Sequence, residues 1–327
     1  MKIISKNVKL LLVFLVVIGL TSCSDDDDGN VTPAPSTIVD IALENNLTSL
    51  AAALQATDLV STLQGAGPFT VFAPTNEAFA DLLSATGLDL DNLSSDEEAL
   101  VRNILLNHVI VGETINSTAL VNAGSGYTNT AAVGPNNENL SLYYTTSNGV
   151  MLNGMSTVVT ADVTASNGIV HVVDAVIELP TIATFATTNP ALETLVAALA
   201  YADTGSPTVP YIATVSDANA GPFTVFAPTN DAFSNLLTEL SVSGLSDLGT
   251  DTVDAVLLYH IISGNIQSSG LPNGTVSTLG GDITADNSAF TLTDANGRVS
   301  NIVVSLVDIQ SMNGVVHVID KVILTPQ

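Results

Sequence analysis

Over residues 37–65 apolar side chains recur at helical intervals, with Leu47, Leu50, Ala51 and Leu54 on one face, so this stretch is predicted to be helical. Thr37 with Asp40 three residues on reads as a capping box, Asp standing where Glu is the stronger partner. Phe69-Thr70-Val71-Phe72 is rich in β-formers and reads as a strand that Pro74 ends. Thr75 or Asn76 then caps another helix; Glu77 suits its positive N-terminus, and Phe79, Leu82 and Leu83 give it an apolar face. Residues 99–109 read as a further helix, carrying Arg102 and His108. Beyond Tyr127 the spacing becomes that of strands: residues 140–144 and 158–164 alternate or run apolar. Asn167-Gly168 reads as a hairpin turn, because both residues tolerate positive φ. Residues 169–177 read as the returning strand, apolar on both faces and therefore central. Helices first and strands afterwards indicate an α+β fold.

The pattern then starts over. Gly67-Pro68-Phe69-Thr70-Val71-Phe72-Ala73-Pro74-Thr75-Asn76-Glu77-Ala78-Phe79 returns at residues 221–233, with Asp231 in the place of Glu77. Ser166-Asn167-Gly168-Ile169-Val170-His171-Val172-Val173-Asp174 is answered by residues 311–320, and Asn107-His108-Val109-Ile110 by Tyr259-His260-Ile261-Ile262. The order is kept, so the chain carries one domain twice, over residues 37–179 and 180–327. After the first marker the second copy has shorter loops. Before it, the second copy is longer, and residues 201–210 read as the extra loop.

The start of the chain has a different character. Lys2, Lys6 and Lys9 precede a short apolar run at residues 10–20, too short for a membrane span and suited to a signal peptide over residues 1–22. Leu20-Thr21-Ser22-Cys23 looks like a bacterial lipobox, in which Cys23 becomes the lipidated first residue. Cys23 is the single cysteine, so no disulfide forms within the chain. Ser24-Asp25-Asp26-Asp27-Asp28 is a solvated acidic spacer. It also resembles the tail that sends some Gram-negative lipoproteins to the outer face of the outer membrane, a periplasm-facing anchor being the alternative. Residues 23–36 thus form an anchor and an acidic, proline-containing linker.

Charge excludes whole classes of partner. Once the leader is removed only Arg102, Arg298 and Lys321 remain as fixed cations, against 32 acidic residues. Nucleic acid needs clustered Lys and Arg, and anionic lipid repels such a surface, so the membrane is reached through the anchor alone. No Gly-rich phosphate loop with its lysine occurs. Charged residues are only 12% of the chain and apolar ones 46%, with Thr, Ser and Asn taking the polar load, an extracytoplasmic composition.

Residues 70–79 and 167–174 resemble the two signature boxes of the fasciclin (FAS1) domain, and Tyr259-His260 is similar to that family's central Tyr-His pair. Residues 224–233 and 313–320 repeat both boxes, so the resemblance spans residues 37–326. It implies two tandem fasciclin-like domains, each a β-sandwich wedge with helices packed around it, and no cofactor. It also implies adhesion: extracellular modules that hold cells to matrix, polysaccharide or one another. Asn107, His108, Tyr259 and His260 are the candidate binding positions it marks, with Asn107 standing where the tyrosine is expected. If the aromatic ring makes a contact surface, the first module is weaker there.

The four histidines all fall on repeated positions. His171 and His317, in mid-strand between valines, read as buried imidazoles bonded to backbone; His108 and His260, near a helix end, leave room for partial exposure. Two histidines per module without cysteine do not make a zinc site. No G-x-S-x-G elbow and no H-E-x-x-H motif occurs, and Asp174 and Asp320 face away from their neighbouring histidines, so no catalytic residue is assigned. The expectation is a surface-displayed adhesin that binds extracellular polysaccharide or a matrix or cell-surface protein, with homophilic contacts as a further option. A non-adhesive envelope scaffold is the alternative and a hydrolase the remoter one. Divalent cations bridging the acidic surface to glycans are a separate expectation, motivated by charge alone.

Overall fold

The computed structural model describes residues 36–326. The leader, Cys23 and the acidic run lie outside the described residues. The first module runs through α1 (Ile38–Glu44), α2 (Thr48–Ala56), α3 (Val60–Leu63), β1 (Phe69–Pro74), α4 (Asn76–Thr86), α5 (Ser95–Leu106), β2 (Val109–Val111), α6 (Ser117–Ala123), β3 (Ser125–Val133), β4 (Asn139–Thr145), β5 (Met151–Leu152), β6 (Ser156–Ala165) and β7 (Gly168–Val173). The second runs through α7 (Ile182–Thr188), α8 (Glu193–Asp203), α9 (Tyr211–Ser216), β8 (Phe223–Pro228), α10 (Asn230–Glu239), α11 (Thr250–Leu258), β9 (Ile261–Ser263), β10 (Gly274–Ser277), β11 (Asp282–Asp286), β12 (Thr291–Thr293), β13 (Val299–Asn301), β14 (Ile309–Ser311) and β15 (Gly314–Ile319). The fold is α+β, as the order of elements indicated.

The predicted helix over 37–65 is three helices. Asn46 (φ 57°) and Asp58 (φ 54°) take left-handed backbone, which ends one helical run and turns the chain into the next. The capping box of Thr37 and Asp40 is present. A second box, Ser94 with Glu97, starts α5 four residues earlier than apolar spacing alone placed it. α8 extends to Asp203, so the extra loop of the second copy is residues 204–210; Asp254 holds it through Thr208 and the Tyr211 hydroxyl.

Each signature box has a structural reason. Pro74 ends β1, Thr75 caps α4 through the Ala78 amide (3.2 Å), and Asn76 reaches back to the start of α2, accepting from the Ser49 amide (2.9 Å) and donating to the Asn46 carbonyl (2.8 Å). Thr229 and Asn230 repeat this toward Ala232, Thr194 and Pro190. In the other box the turn falls at Ser166-Asn167, not at Asn167-Gly168, and Asn167 does not use positive φ. Its side chain staples the hairpin to the first helices, accepting from the Ile38 amide (3.0 Å) and donating to the Leu63 (2.7 Å) and Gly65 (2.8 Å) carbonyls. Gly168 is required by close approach, since a Cβ there would sit 2.2 Å from the Phe69 carbonyl oxygen. The counterpart Gly314 adds a φ of +149°, with its Cβ position 2.0 Å from the Phe223 oxygen. Gly314→Ala is therefore expected to destabilise the chain by about 2 kcal/mol or more, read as a lowered Tm, because the backbone of two paired strands must separate.

In the first module the strands form one seven-stranded sheet in the order β2-β1-β7-β6-β5-β4-β3, with β7 interior, third from one edge, and parallel to β1. β7 ends at Val173, short of the predicted 177, because Asp174 turns out of the sheet and caps the Thr157 amide (2.6 Å). In the second module the strand corresponding to β6 is broken into β13 and β14, leaving two four-stranded sheets, β10-β11-β12-β13 and β14-β15-β8-β9. The break lies where β6 itself slips register twice, between Val158 and Val163. The helices cover one face of each β1- or β8-containing sheet, and a second apolar layer, around Phe72 in the first module and Phe226 in the second, fills the space beneath the other.

Candidate functional site

α5 and α11 deliver the marked pairs at their C-terminal ends, and all four side chains are buried: Asn107 0%, His108 2%, Tyr259 8% and His260 2% exposed. Partial exposure of the two histidines is thus not found. The Ile177 amide donates to His108 Nε2 (2.8 Å), which puts the ring proton on Nδ1, where it is donated to the Ile104 carbonyl (2.7 Å). His260 repeats the arrangement between the Ile323 amide (3.0 Å) and the Val256 carbonyl (2.8 Å). Each imidazole braces a helix end to the segment leaving the sheet, and burial pushes both pKa values down to about 4. Asn107 donates to the Ile177 and Glu178 carbonyls and accepts from the Thr130 hydroxyl. The Tyr259 side chain does the corresponding work by packing on Gly280 and Gly281, where a Cβ would lie 2.4 Å from a ring carbon and from the hydroxyl oxygen respectively. The candidate binding positions are interior supports: both imidazoles and the Asn107 amide nitrogen are spent on backbone, and the Asn107 oxygen on Thr130.

His171 and His317 are fully buried, as mid-strand placement between valines suggested. His171 donates from Nε2 to the Ile115 carbonyl (2.8 Å) and accepts at Nδ1 from the Asp162 amide (3.3 Å). His317 does the same with Ile266 and Asp308. Burial lowers the pKa of both. Here serine, aspartate and histidine do converge, but in the wrong order for nucleophilic catalysis. Ser117 donates its hydroxyl to Asp162, and both nitrogens of His171 are taken by backbone, so the serine has no imidazole to accept its proton. Ser268, Asp308 and His317 repeat the arrangement. The Ser117 hydroxyl is also the main reason the Asp162 carboxyl is held below its ordinary range. Among the described residues no group of three or more His, Cys, Asp or Glu is placed to hold a metal ion.

Polar side chains gather where the modules meet, within the compact unit of residues 35–327. The Gln310 amide of β14 donates to the Ser141 hydroxyl of β4 (3.0 Å), the Met312 amide to the Pro180 carbonyl (2.8 Å), and Asn136 Nδ2 to the Asn265 carbonyl (3.1 Å). Tyr143 of β4 belongs to the apolar core of the second module. Tyr127 stands against Tyr143 (4.9 Å between centroids) and edge-on to Phe185 (5.5 Å), with its hydroxyl accepting from Asn189 (3.1 Å). Beside this contact lies a cleft of about 310 Å³ lined by Asn129, Glu138 and Asn139 from the first module and Gln267, Ser269, Asp308 and Gln310 from the second. None of these residues was singled out from sequence. The available signal was the departure of Gln310-Ser311-Met312 from Thr164-Ala165-Ser166 at otherwise repeated positions.

The comparisons with known proteins agree with this architecture. A fasciclin domain model matches residues 45–180 and again residues 190–325. Curated relatives include protein sll1483 of Synechocystis sp. (strain ATCC 27184 / PCC 6803 / Kazusa), 40% identical over 106 residues, which are 32% of this chain and 57% of that protein. Transforming growth factor-beta-induced protein ig-h3 of Sus scrofa is 27% identical over 265 residues, 80% of this chain and 35% of that protein. Cell surface glycolipoprotein MPB83 of Mycobacterium bovis is 33% identical over 148 residues, 44% of this chain and 60% of that protein. The chain thus spans between 35% and 60% of the length of these relatives. Among solved structures, the FAS1 domain pair of the insect cell adhesion molecule fasciclin I aligns with a TM-score of 0.51 at 17% identity, covering 86% of this chain and 98% of that one, a likeness of fold. Matched twice by the family model over most of its length, the chain belongs to the fasciclin domain family.

Proposed function

We propose that the protein is a non-catalytic adhesin, held on the cell surface through lipidated Cys23, that binds extracellular polysaccharide or a matrix or cell-surface protein. The observation that carries this reading is the packed pair: two fasciclin modules locked across β4 and β14, with Ser117, Ser268 and the four histidines committed to internal bonds and the polar surface left for contact. Its fold is that of a domain pair from an insect cell adhesion molecule, and one relative carries the name of a cell surface glycolipoprotein. Among the described residues no helix is long and apolar enough to cross a membrane, so a membrane attachment would come from outside residues 36–326. Recognition would work through one composite surface more than through two independent sites, since Tyr143 ties the modules together.

Protease added to intact native cells is expected to remove the protein while a periplasmic marker survives, and Cys23→Ser is expected to shift it from the membrane to the soluble fraction. Protection of the protein alongside the marker would replace surface display with an envelope scaffold. Residues 24–327, applied with and without calcium to arrays of polysaccharides and matrix proteins, are expected to give a specific hit. A well-folded protein that binds nothing on the arrays or on cell surfaces ends the adhesive reading.

A further inference from the structure

We propose that the cleft between the modules is a binding subsite for an uncharged, hydroxyl-rich ligand: one or two sugar rings of a neutral glycan. This rests on the adhesive reading and gives it a location and a ligand class. The cleft volume of about 310 Å³ lies at the low end of small-molecule sites, which run from about 300 to 1,000 Å³. Its named walls carry no apolar side chain; amides, carboxylates and a hydroxyl make up the lining. A sugar hydroxyl both donates and accepts, and an amide is the side chain that answers both needs.

The lining keeps such capacity unspent. Asn129 uses its oxygen on the Ser141 hydroxyl, and among the described residues no group takes its Nδ2. Asn139 spends its Nδ2 on the Thr130 carbonyl (2.8 Å), leaving Oδ1 as an acceptor. Gln267 donates from Nε2 to Gln310 (2.6 Å), leaving Oε1. These bonds also hold the side chains in place. Gln310, only 1% exposed, is fixed from four sides by Asn265, Gln267 and the Ser311 and Gly314 carbonyls, and it forms a rigid floor. Asp308 is held by the Ser268 amide and hydroxyl. A wall ordered before binding loses little side-chain freedom when a ligand arrives.

Charge selects among ligands. Glu138 and Asp308 are the charged groups of the cleft, and no Lys or Arg lines it, so uronates, sulfates and phosphates are repelled. Ser268 donates to both Asp308 oxygens, and Glu138 is the cleft's other carboxylate; two acidic groups are too few for a cation site. The subsite also explains the tandem. Asn116, Asp162 and Thr164 take the positions of Gln267, Asp308 and Gln310 in the first module, as the matching serine–aspartate bonds show. Those residues meet no β3–β4 hairpin of another module among the described residues, so the opposing wall exists only at the junction.

The test uses residues 24–327 and neutral hexaoses of glucose, mannose and xylose, with a polygalacturonate hexamer as the acidic probe, by titration calorimetry and NMR. At least one neutral hexaose is expected to bind and the acidic one not. Asn129→Ala/Asn139→Ala, with some loss of Tm from the bonds it removes, and, separately, the bond-free surface change Glu138→Ala at unchanged Tm are each expected to weaken binding at least tenfold, while Asn219→Ala on another surface leaves it intact. No neutral hexaose binding, preference for the acidic probe, or equal affinity of the cleft variants overturns the proposal. Retained binding with equal affinity of the variants leaves the adhesive reading standing and moves its site elsewhere. Failure of the intact protein on every carbohydrate and matrix surface removes both.

Discussion

Replacing Tyr143 by alanine is expected to cost about 3–5 kcal/mol and to destabilise both modules together, the range for truncating a large buried aromatic. Tyr143 is carried by β4 of the first module, yet it belongs to the apolar core of the second, the one that contains Ile182, Phe185 and Val318. The vacated space is bounded by elements of both modules and cannot close by movement of one alone. It also leaves Tyr127 without one of its aromatic neighbours. Urea unfolding is the measurement. The wild type is expected to lose both modules in one transition, and Tyr143→Ala to shift that whole transition. The adjacent Tyr144→Ala, half-buried against the first module, is the comparison and is expected to cost less. Two separate transitions, with only one displaced, would show that the junction does not couple the modules. Severing the chain near Pro180 is a poor way to compare one module with two, because the second module would lose Tyr143 from its core.

Acid is expected to act nearly as strongly, through the buried imidazoles. His108 and His260 are neutral in the fold with pKa values near 4, against 6.5 for the free group. Between these values the unfolded chain binds protons that the native chain refuses. Stability is therefore full above about pH 6.5, falls as pH drops toward 4, and loses nothing further from these two groups below that. At about 1.4 kcal/mol per unit the loss reaches about 3 kcal/mol for each histidine by pH 4. The depressed values of His171 and His317 act in the same direction. Asp162, whose pKa is held down, keeps its contribution until the pH falls below the ordinary carboxylate range, so its loss comes later. Total stability of a domain is about 5–15 kcal/mol, so unfolding near pH 4 is the expected outcome. Denaturation at intervals from pH 7 to 4 tests this, with NMR titration of the imidazoles. A flat stability profile, or His108 titrating near 6.5, would contradict it.

Much of the fold was legible because the chain states its plan twice. The boxes around Pro74-Thr75-Asn76 and Asn167-Gly168 mark a strand end, a helix cap and a hairpin by local chemistry, and the repeat at residues 228–230 and 313–314 removes chance as a reading. Two things were hidden. Left-handed backbone at Asn46 and Asp58 breaks one helical pattern into three helices, and apolar spacing carries no trace of it. The role of Asn167 was visible only in part: its turn position is local, but its bonds to Ile38, Leu63 and Gly65 join segments far apart in sequence. The Asn-His and Tyr-His pairs were candidate binding positions through the family resemblance, and a place near a helix end left room for partial exposure of their histidines. Here each helix end is covered by the chain leaving the central sheet, and the pairs became its anchors. The junction cleft was illegible from either copy, because its two walls come from different modules.

The connection between the modules has no slack. Glu178 is tied to Asn107, Pro180 to Met312, and the Ile182 amide to Asn313 within five residues of chain. Tension pulling the two modules apart therefore finds no spring to stretch. It meets the hairpin at residues 311–314 and the seated Tyr143 ring at the same moment. Under flow the pair would behave as one stiff lever, holding its full length until the junction gives way in a single step and the second core is opened with it.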